Sequence, residues 1–537
     1  MSLRLFVFWA AWSTSVALAQ VGPEPSAESE SAPASTRDED TRPVVAEPTG
    51  EAANVPSPSA RSTSAPSSVS TTSAPSTSAP STSAPSTSAP TTSAPSTNAP
   101  STSAPEAPTR RPAERWASEV VSRTLDNGLL TLVQQRRDSS FSAVCVIFGV
   151  GQSDDPEDYE GLAHITEHLM FAPTAELPQG FGRFVEELGA SYVNASTSSD
   201  ATTYCTEVPN EGLERLLYAE STRMGFLLAS LNEDHVARER AAVLHEQRER
   251  GREHVGWRMN EALDEALWGP SHPYGRPHES EDSVERLRLA NVQWFFQRWY
   301  GPRNATLAVV GPEDPARVQG WIDRYFGPLR GEAPPERANP PLPEREPTGI
   351  TVFAPTRYDQ LRLAWTTPRY HEVDDAALDV LGDILEERLG ERYEDADDIQ
   401  SVSVAVFSRS RGSVFQVSVA GEKENDLAPR AREIEGEIAR LLEEGPTDEE
   451  LDKTLRRWDR ALGATRRSVL TVAQRLASRR VHDRALEPGD ARYGELDRET
   501  ILAAGRRWLR PERRVVAQRR MHGFASFEGD VRRRSLR

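Results

Sequence analysis

The stretch GEAPPERANPPLPEREPTG, from Gly331 to Gly349, limits more than any other what this chain can fold into. Its prolines remove backbone donors and block helix, so the residues on either side must build separate sheets. Each side ends in a similar way. RWYGPRNATLAVVG begins at Arg298 and RWLRPERRVVAQ at Arg507, and both set Arg-Trp at a helix end, a proline (Pro302, Pro511) shortly after, and an apolar strand beyond. Before those points the element order also repeats. LLTLVQQ and FSAVCVIFGVG read as strands, GLAHITEHLMF and FGRFVEELG as helices, and ASYVNASTSSDATTYCTEV as strands again. Beyond the proline-rich stretch, ITVFAPTRYDQLRLAWTTP reads as strands, DDAALDVLGDILEERLGERY as a helix, and IQSVSVAVFSRSRGSVFQVSVAG as a hairpin followed by two long helices. The expectation is an α+β fold of two tandem homologous domains, each a mainly antiparallel sheet packed with helices. They occupy residues 113–330 and 350–525, joined by the linker 331–349 and followed by a solvated basic tail at 526–537.

The first part of the chain does not belong to that fold. Arg4, the apolar run LFVFWAAW and the small residues Ala17-Leu18-Ala19 before Gln20 read as a secretory signal over residues 1–19, with a run too short to span a bilayer. Residues 20–112 are dominated by Ser, Thr, Ala and Pro, with STSAP repeated from Ser62 to Pro105. Such a segment has too few apolar side chains to offset chain entropy and reads as a disordered spacer. The expected location is exported: periplasmic, cell-envelope or extracellular, with no membrane-integral domain beyond the signal. A net charge of −19 argues against nucleic acid or an anionic lipid surface as partner. Cys145 and Cys205 lie in strand-like runs; they pair if those strands are neighbours, but two separately buried thiols is the plainer reading.

The chemistry concentrates in GLAHITEHLMF. On a helix His164 and His168 stand one turn apart on one face, and Glu167 projects with them. Two imidazoles at that spacing suit one tetrahedral Zn²⁺, and a carboxylate beside them suits a base acting on water at the open position. The plainer alternative is an amphipathic helix with surface histidines and a core face of Ile165, Leu169 and Met170. Two ligands hold zinc loosely, so a third is expected. In ARERAAVLHEQRER, Glu239, Ala242, Val243 and Glu246 share one face, which makes Glu246 a candidate ligand with Glu239 one layer behind it. A helix this charged also accommodates both as merely solvated glutamates. His245 competes with Glu246 but points roughly 100° away around the helix.

GLAHITEHLMF resembles the H-x-x-E-H signature of the inverzincins, the insulinase and pitrilysin metallopeptidases. The family's third ligand is a downstream Glu with a second Glu seven residues earlier, matched here by Glu246 and Glu239. VNASTSSDATTY is similar to the family's Asn-Ala strand, which pairs with substrate backbone, with Asn194 and Ala195 at the matching positions. HPYGRP, from His272, resembles a loop in the same relative place, and the likeness runs from about Leu125 to Gly523. The resemblance implies tandem domains of which only the first carries zinc; the helix DDAALDVLGDILEERL, at the motif's place in the second half, has no His. It implies a substrate-binding Arg, for which Arg392 stands, and a nearby Tyr, where this chain has Gln400.

The function implied is a zinc metalloendopeptidase that hydrolyses peptides or small unfolded polypeptides, with Glu167 as catalytic base, His164, His168 and Glu246 on Zn²⁺ and Glu239 behind them. The alternative is a weak or inactive peptide-binding subunit of a hetero-oligomeric peptidase. A homodimer or a partner subunit of the same family is implied as partner.

Overall fold

The computed structural model describes residues 120–535 apart from 254–255, 278, 345, 354–357, 422–426, 479–490, 495 and 521–530. The expected signal, the spacer and the first residues of the expected basic tail lie outside the described residues.

In the first half, strands β1 (Val120–Thr124), β2 (Leu130–Gln135) and β3 (Phe141–Phe148) lead to helices α1 (Leu162–Leu169) and α2 (Phe181–Glu187). Strands β4 (Tyr192–Thr197) and β5 (Thr202–Pro209) follow, then helices α3 (Leu213–Ser230), α4 (Glu233–Glu253), α5 (Gly256–Trp268), α6 (Glu281–Arg286) and α7 (Leu289–Trp299), strand β6 (Ala305–Gly311) and helix α8 (Pro315–Phe326). The second half runs β7 (Thr348–Phe353), β8 (Asp359–Thr367), α9 (Asp375–Arg392), β9 (Ile399–Phe407), β10 (Ser413–Gly421), α10 (Ala428–Glu444), α11 (Asp448–Thr465) and α12 (Val469–Ala477). It closes with α13 (Ala491–Gly494), α14 (Arg498–Trp508), β11 (Val515–Arg520) and β12 (Val531–Ser535).

The strands make two six-stranded sheets, ordered β1-β2-β6-β3-β5-β4 and β12-β7-β11-β8-β10-β9. Place for place the sheets correspond: β6 lies parallel to β2 as β11 does to β7, and the other pairs are antiparallel. The Arg-Trp echo marks this crossover. It ends α7 at Trp299 and α14 at Trp508, and the apolar strand that follows each helix enters the middle of its sheet. The two edges differ in origin, because β1 enters from the N-terminal side whereas β12 returns from the chain's end to pair with β7. The arginine-rich end is therefore not a solvated tail over residues 531–535. Its backbone satisfies the otherwise open edge of β7, and Arg533 reaches across to pair with Glu265.

The central strands are apolar without a break because both of their faces are covered. Along β3, Val144, Val146 and Phe148 face the helices of their own half, while Ala143, Cys145 and Ile147 face the other way. The cover on that other face is α12, a helix of the second half, through Val469, Val472, Ala473 and Leu476. The exchange is reciprocal. Helix α5 of the first half lays Met259, Ala262, Leu263 and Trp268 on Ile350, Val352, Ala364, Val414 and Val515 of the second sheet. Both helices occupy the same position in their halves, next after the helix pairs α3–α4 and α10–α11.

Cys145 and Cys205 are register partners on β3 and β5 with Cα atoms 4.2 Å apart, and they form a disulfide. This corrects the expectation of two separate thiols: the strands are neighbours, a relation that only the sheet order reveals.

Because α12 is part of the first sheet's core, truncation at its contact is felt in both halves. Leu476→Ala is expected to lower stability by about 2–5 kcal/mol and to do so in a single denaturant transition shared by both halves. A fragment of residues 113–330, which leaves Ile147, Ala308 and Val310 bare, is expected to aggregate. A soluble, cooperatively folding fragment would show that the exchanged helix is dispensable.

Candidate metal centre

Helix α1 begins at Gly161, whose φ of 99° disfavours any side chain and where a Cβ would approach Val284 Cγ2 to 2.8 Å. Asp155 ties down the start of the helix: its carboxylate accepts the Gly161 N–H at 2.8 Å and the Ala163 N–H at 2.9 Å. All eight residues of α1 are buried. Ile165, Leu169 and Met170 do form a core face, but the histidines are not surface residues; His164 is 0% exposed and His168 8%.

The imidazoles converge. His164 Nε2 and His168 Nε2 lie 3.3 Å apart, and the Glu246 carboxylate sits 3.7 Å from the first and 3.5 Å from the second. Zinc bonds of 2.0–2.2 Å in a tetrahedron put neighbouring ligand atoms about 3.3–3.6 Å apart, which matches these separations. The donor chemistry agrees. His164 Nδ1 lies 2.7 Å from Glu279 Oε1, and His168 Nδ1 lies 3.3 Å from Glu239 Oε2. Carboxylates standing near both Nδ1 atoms favour the tautomers that carry the ring proton on that side and turn Nε2 toward Glu246. Two lone pairs and a carboxylate gathered at one point repel unless a cation lies between them, and among the described residues this is where three such side chains meet. Residues and geometry therefore fit zinc.

Glu167 is fully buried, and burial, the largest influence on it, pushes its carboxyl above the usual range; His164 and the Thr197 hydroxyl pull the other way. Thr197 donates to Glu167 Oε2, whereas Glu167 Oε1 has no hydrogen bond among the described residues. Thr197 ends β4, the strand that carries Asn194 and Ala195, and β4 is an edge whose one partner among the described strands is β5. Ala195 is buried in the core; Asn194 is half-buried. His245 is exposed and stands apart from the cluster that Glu246 joins.

Arg392 and Gln400 do not join the cluster. Arg392, at the exposed end of α9, points its guanidinium toward Glu433 at 3.9 Å, and Gln400 is exposed on β9. The hairpin tip beyond β9 reaches the first half instead. The Ser410 N–H donates to Asp200 at 3.0 Å, the Arg411 N–H to the Tyr274 hydroxyl at 2.9 Å, and the Arg411 guanidinium to Asp154 at 2.6 Å. Tyr274 in turn donates to Asp200, so the HPYGRP loop rivets the halves together. His272 of that loop is stacked on Trp268 and held neutral, its pKa lowered to about 4 by burial and by Arg411.

Sequence reasoning missed Glu279, Thr197, Asp155 and Gln247, whose amide donates to Glu279 Oε2 at 2.9 Å. Thr197 and Gln247 stood inside quoted motifs, the Asn-Ala strand and the helix of Glu246, whereas Asp155 and Glu279 meet the site from loops.

Two family models match more than half of the chain: insulinase (peptidase family M16) over residues 130–275 and the peptidase M16 inactive domain over residues 286–457. The chain belongs to the insulinase (M16) family. Zinc protease PqqE of Helicobacter pylori is 28% identical over 365 residues, 64% of this chain and 79% of that one. The insulin-degrading enzyme homolog of Dictyostelium discoideum is 28% identical over 250 residues, 45% of this chain and 25% of its own length. The chain thus spans most of one relative but about a quarter of others, the zinc protease PQQL-like of Arabidopsis thaliana included. Among solved structures, a protease from Helicobacter pylori shares the fold with a TM-score of 0.68 at 22% identity, over 75% of this chain and 99% of that one. Pitrilysin does so at 0.66 and 18%, over 78% of this chain and 47% of its own. In this family setting the half named inactive is the one whose α9, at the place of α1, carries no histidine.

Glu246→Gln is expected to weaken zinc binding by more than the roughly 10–100-fold that an outer partner commands, and Glu239→Gln to fall within that range. His245→Ala should leave it unchanged. Chelator competition on the purified protein measures all three, and loss of metal in His245→Ala with retention in Glu246→Gln would overturn the ligand set.

Proposed function

We propose that the chain is a zinc-dependent metalloendopeptidase that cuts peptides or small unfolded polypeptides outside the cytoplasm. The observation that carries this reading is the convergence of His164 Nε2, His168 Nε2 and the Glu246 carboxylate beside a buried glutamate with one unpartnered oxygen. Zinc held by these three residues supplies an acidified water and a Lewis acid for the substrate carbonyl.

The protein's own residues do the rest. Glu239 and Glu279 orient the two imidazoles. Thr197 occupies one oxygen of Glu167, which leaves Oε1 to accept the proton of the attacking water and then return it to the leaving amine. The open edge of β4 offers backbone groups around Asn194 and Ala195 to an extended peptide, which would add as a further strand. Peptides already unfolded fit such a site, because only an extended backbone can form that ladder.

A second reading has its own support. Arg392 is turned to Glu433, and Gln400 stands where a Tyr is expected, which weakens the case that the second half supplies a substrate-binding Arg and Tyr. The chain also spans 47% of the pitrilysin structure. A second copy, or a partner subunit of the same family, would then supply the missing oxyanion donors, and a chain alone would bind peptides with little turnover.

Hydrolysis of a quenched fluorescent peptide library, with and without chelator, tests the main reading. Glu167→Gln is expected to keep its zinc and lose activity by about 10²–10⁴-fold, the span of general-base contributions. Undiminished activity in that variant removes Glu167 as base. Absence of turnover by the pure wild-type chain, restored on adding a second family subunit, favours the second reading.

A further inference from the structure

Glu279 is an unusual place for a carboxylate. It lies in the loop between the HPYGRP turn and α6, its side chain is 1% exposed, and its Oε1 approaches His164 Nδ1 to 2.7 Å. An ionised carboxylate taken out of water costs several kcal/mol unless charge and hydrogen bonds compensate it. Here the Gln247 amide donates to Oε2 at 2.9 Å and restrains the carboxylate, whose other oxygen, Oε1, is the one near the imidazole. Gln247 follows Glu246 directly in the chain, so one turn of α4 presents both the carboxylate that meets Nε2 and the amide that steadies the group on Nδ1. Glu239 makes the matching approach to His168 from the same helix, at 3.3 Å and with its side chain 29% exposed. The two outer carboxylates are therefore unequal: the one on His164 is closer, drier and better held.

We propose that Glu279 is a positioning residue of the metal centre, whose carboxylate accepts the Nδ1 proton of His164, fixes that ring's tautomer and orientation, and raises the basicity of its Nε2 toward zinc. The proposal rests on the reading of His164 as a ligand. Because its contact is shorter and more buried than that of Glu239, Glu279 contributes the larger share of zinc affinity. The loop gives this role a structural consequence. Tyr274, five residues upstream, is bound to Asp200 and to the hairpin tip of the second half, so the segment that steadies His164 is anchored by the contact between the halves.

The test measures zinc affinity of the full-length chain, prepared metal-free, by competition with a chromogenic chelator. Glu279→Gln keeps the shape of the side chain and drops its charge; about a ten-fold or greater loss of affinity is expected, with Glu279→Ala toward the upper end of the roughly 10–100-fold range. Glu239→Gln is expected to lose less. The cobalt-substituted protein gives a readout independent of turnover, and its visible absorption should shift in Glu279→Gln because the imidazole changes orientation. The thermal melt of metal-free Glu279→Gln is expected to stay near wild type, which separates a role at the metal from one in folding. Wild-type affinity and an unshifted cobalt spectrum in Glu279→Gln overturn the proposal. His164→Ala is the arm that tells the two failures apart: if it keeps zinc at wild-type affinity, the ligand reading itself fails, whereas loss of zinc there with no effect at Glu279 sinks the positioning role alone.

Discussion

The structure depends on the need to cover both faces of two sheets. Strands such as β3 and β6 are apolar on each side, so neither half can be stable with helices on one face alone. The chain meets this need by exchange, α12 covering the first sheet and α5 the second. The halves are consequently one folding unit. The Asp200–Tyr274–Arg411 contacts add a buried polar rivet to the same interface.

The candidate metal centre inherits its rigidity from that arrangement. Helix α1 is buried on every side, which is an expensive setting for two histidines and a glutamate unless each polar atom has a purpose. Outer carboxylates approach the Nδ1 atoms and Thr197 takes one oxygen of Glu167, while both Nε2 atoms and the Glu246 carboxylate meet on the inner side, a donor set of the kind a hydrolytic metal site uses. Preorganisation of this kind keeps the inner groups in place before any substrate arrives.

How much of this was legible in the chain varied with distance along it. His164, Glu167 and His168 were readable because helical spacing alone gathers them. Glu246 was readable through its face with Val243, and the fold turns that face toward α1 while leaving His245 exposed. Glu239 reads as a carboxylate behind the candidate ligands, and the structure places it at the outer nitrogen of His168. Glu279 was not readable: it stands in a charged loop more than a hundred residues from His164, where no periodicity singles it out. Arg392 was chosen by register, and register along a helix end says nothing about which neighbour, here Glu433, captures the side chain.

The sequence by itself determined the local matters: which segments are helix or strand, the break at Gly331–Gly349, the repeat marked by Trp299 and Trp508, and the spacing that joins His164 to His168. Each follows from periodicity and chain geometry over a few turns. Tertiary structure alone decided the pairing of Cys145 with Cys205, the return of β12 to the edge of β7, the exchange of α5 and α12, and the arrival of Glu279 at His164. Those are contacts between distant segments, selected by which apolar faces remain uncovered and which buried polar atoms still need a partner, and neither condition exists until the rest of the chain has folded.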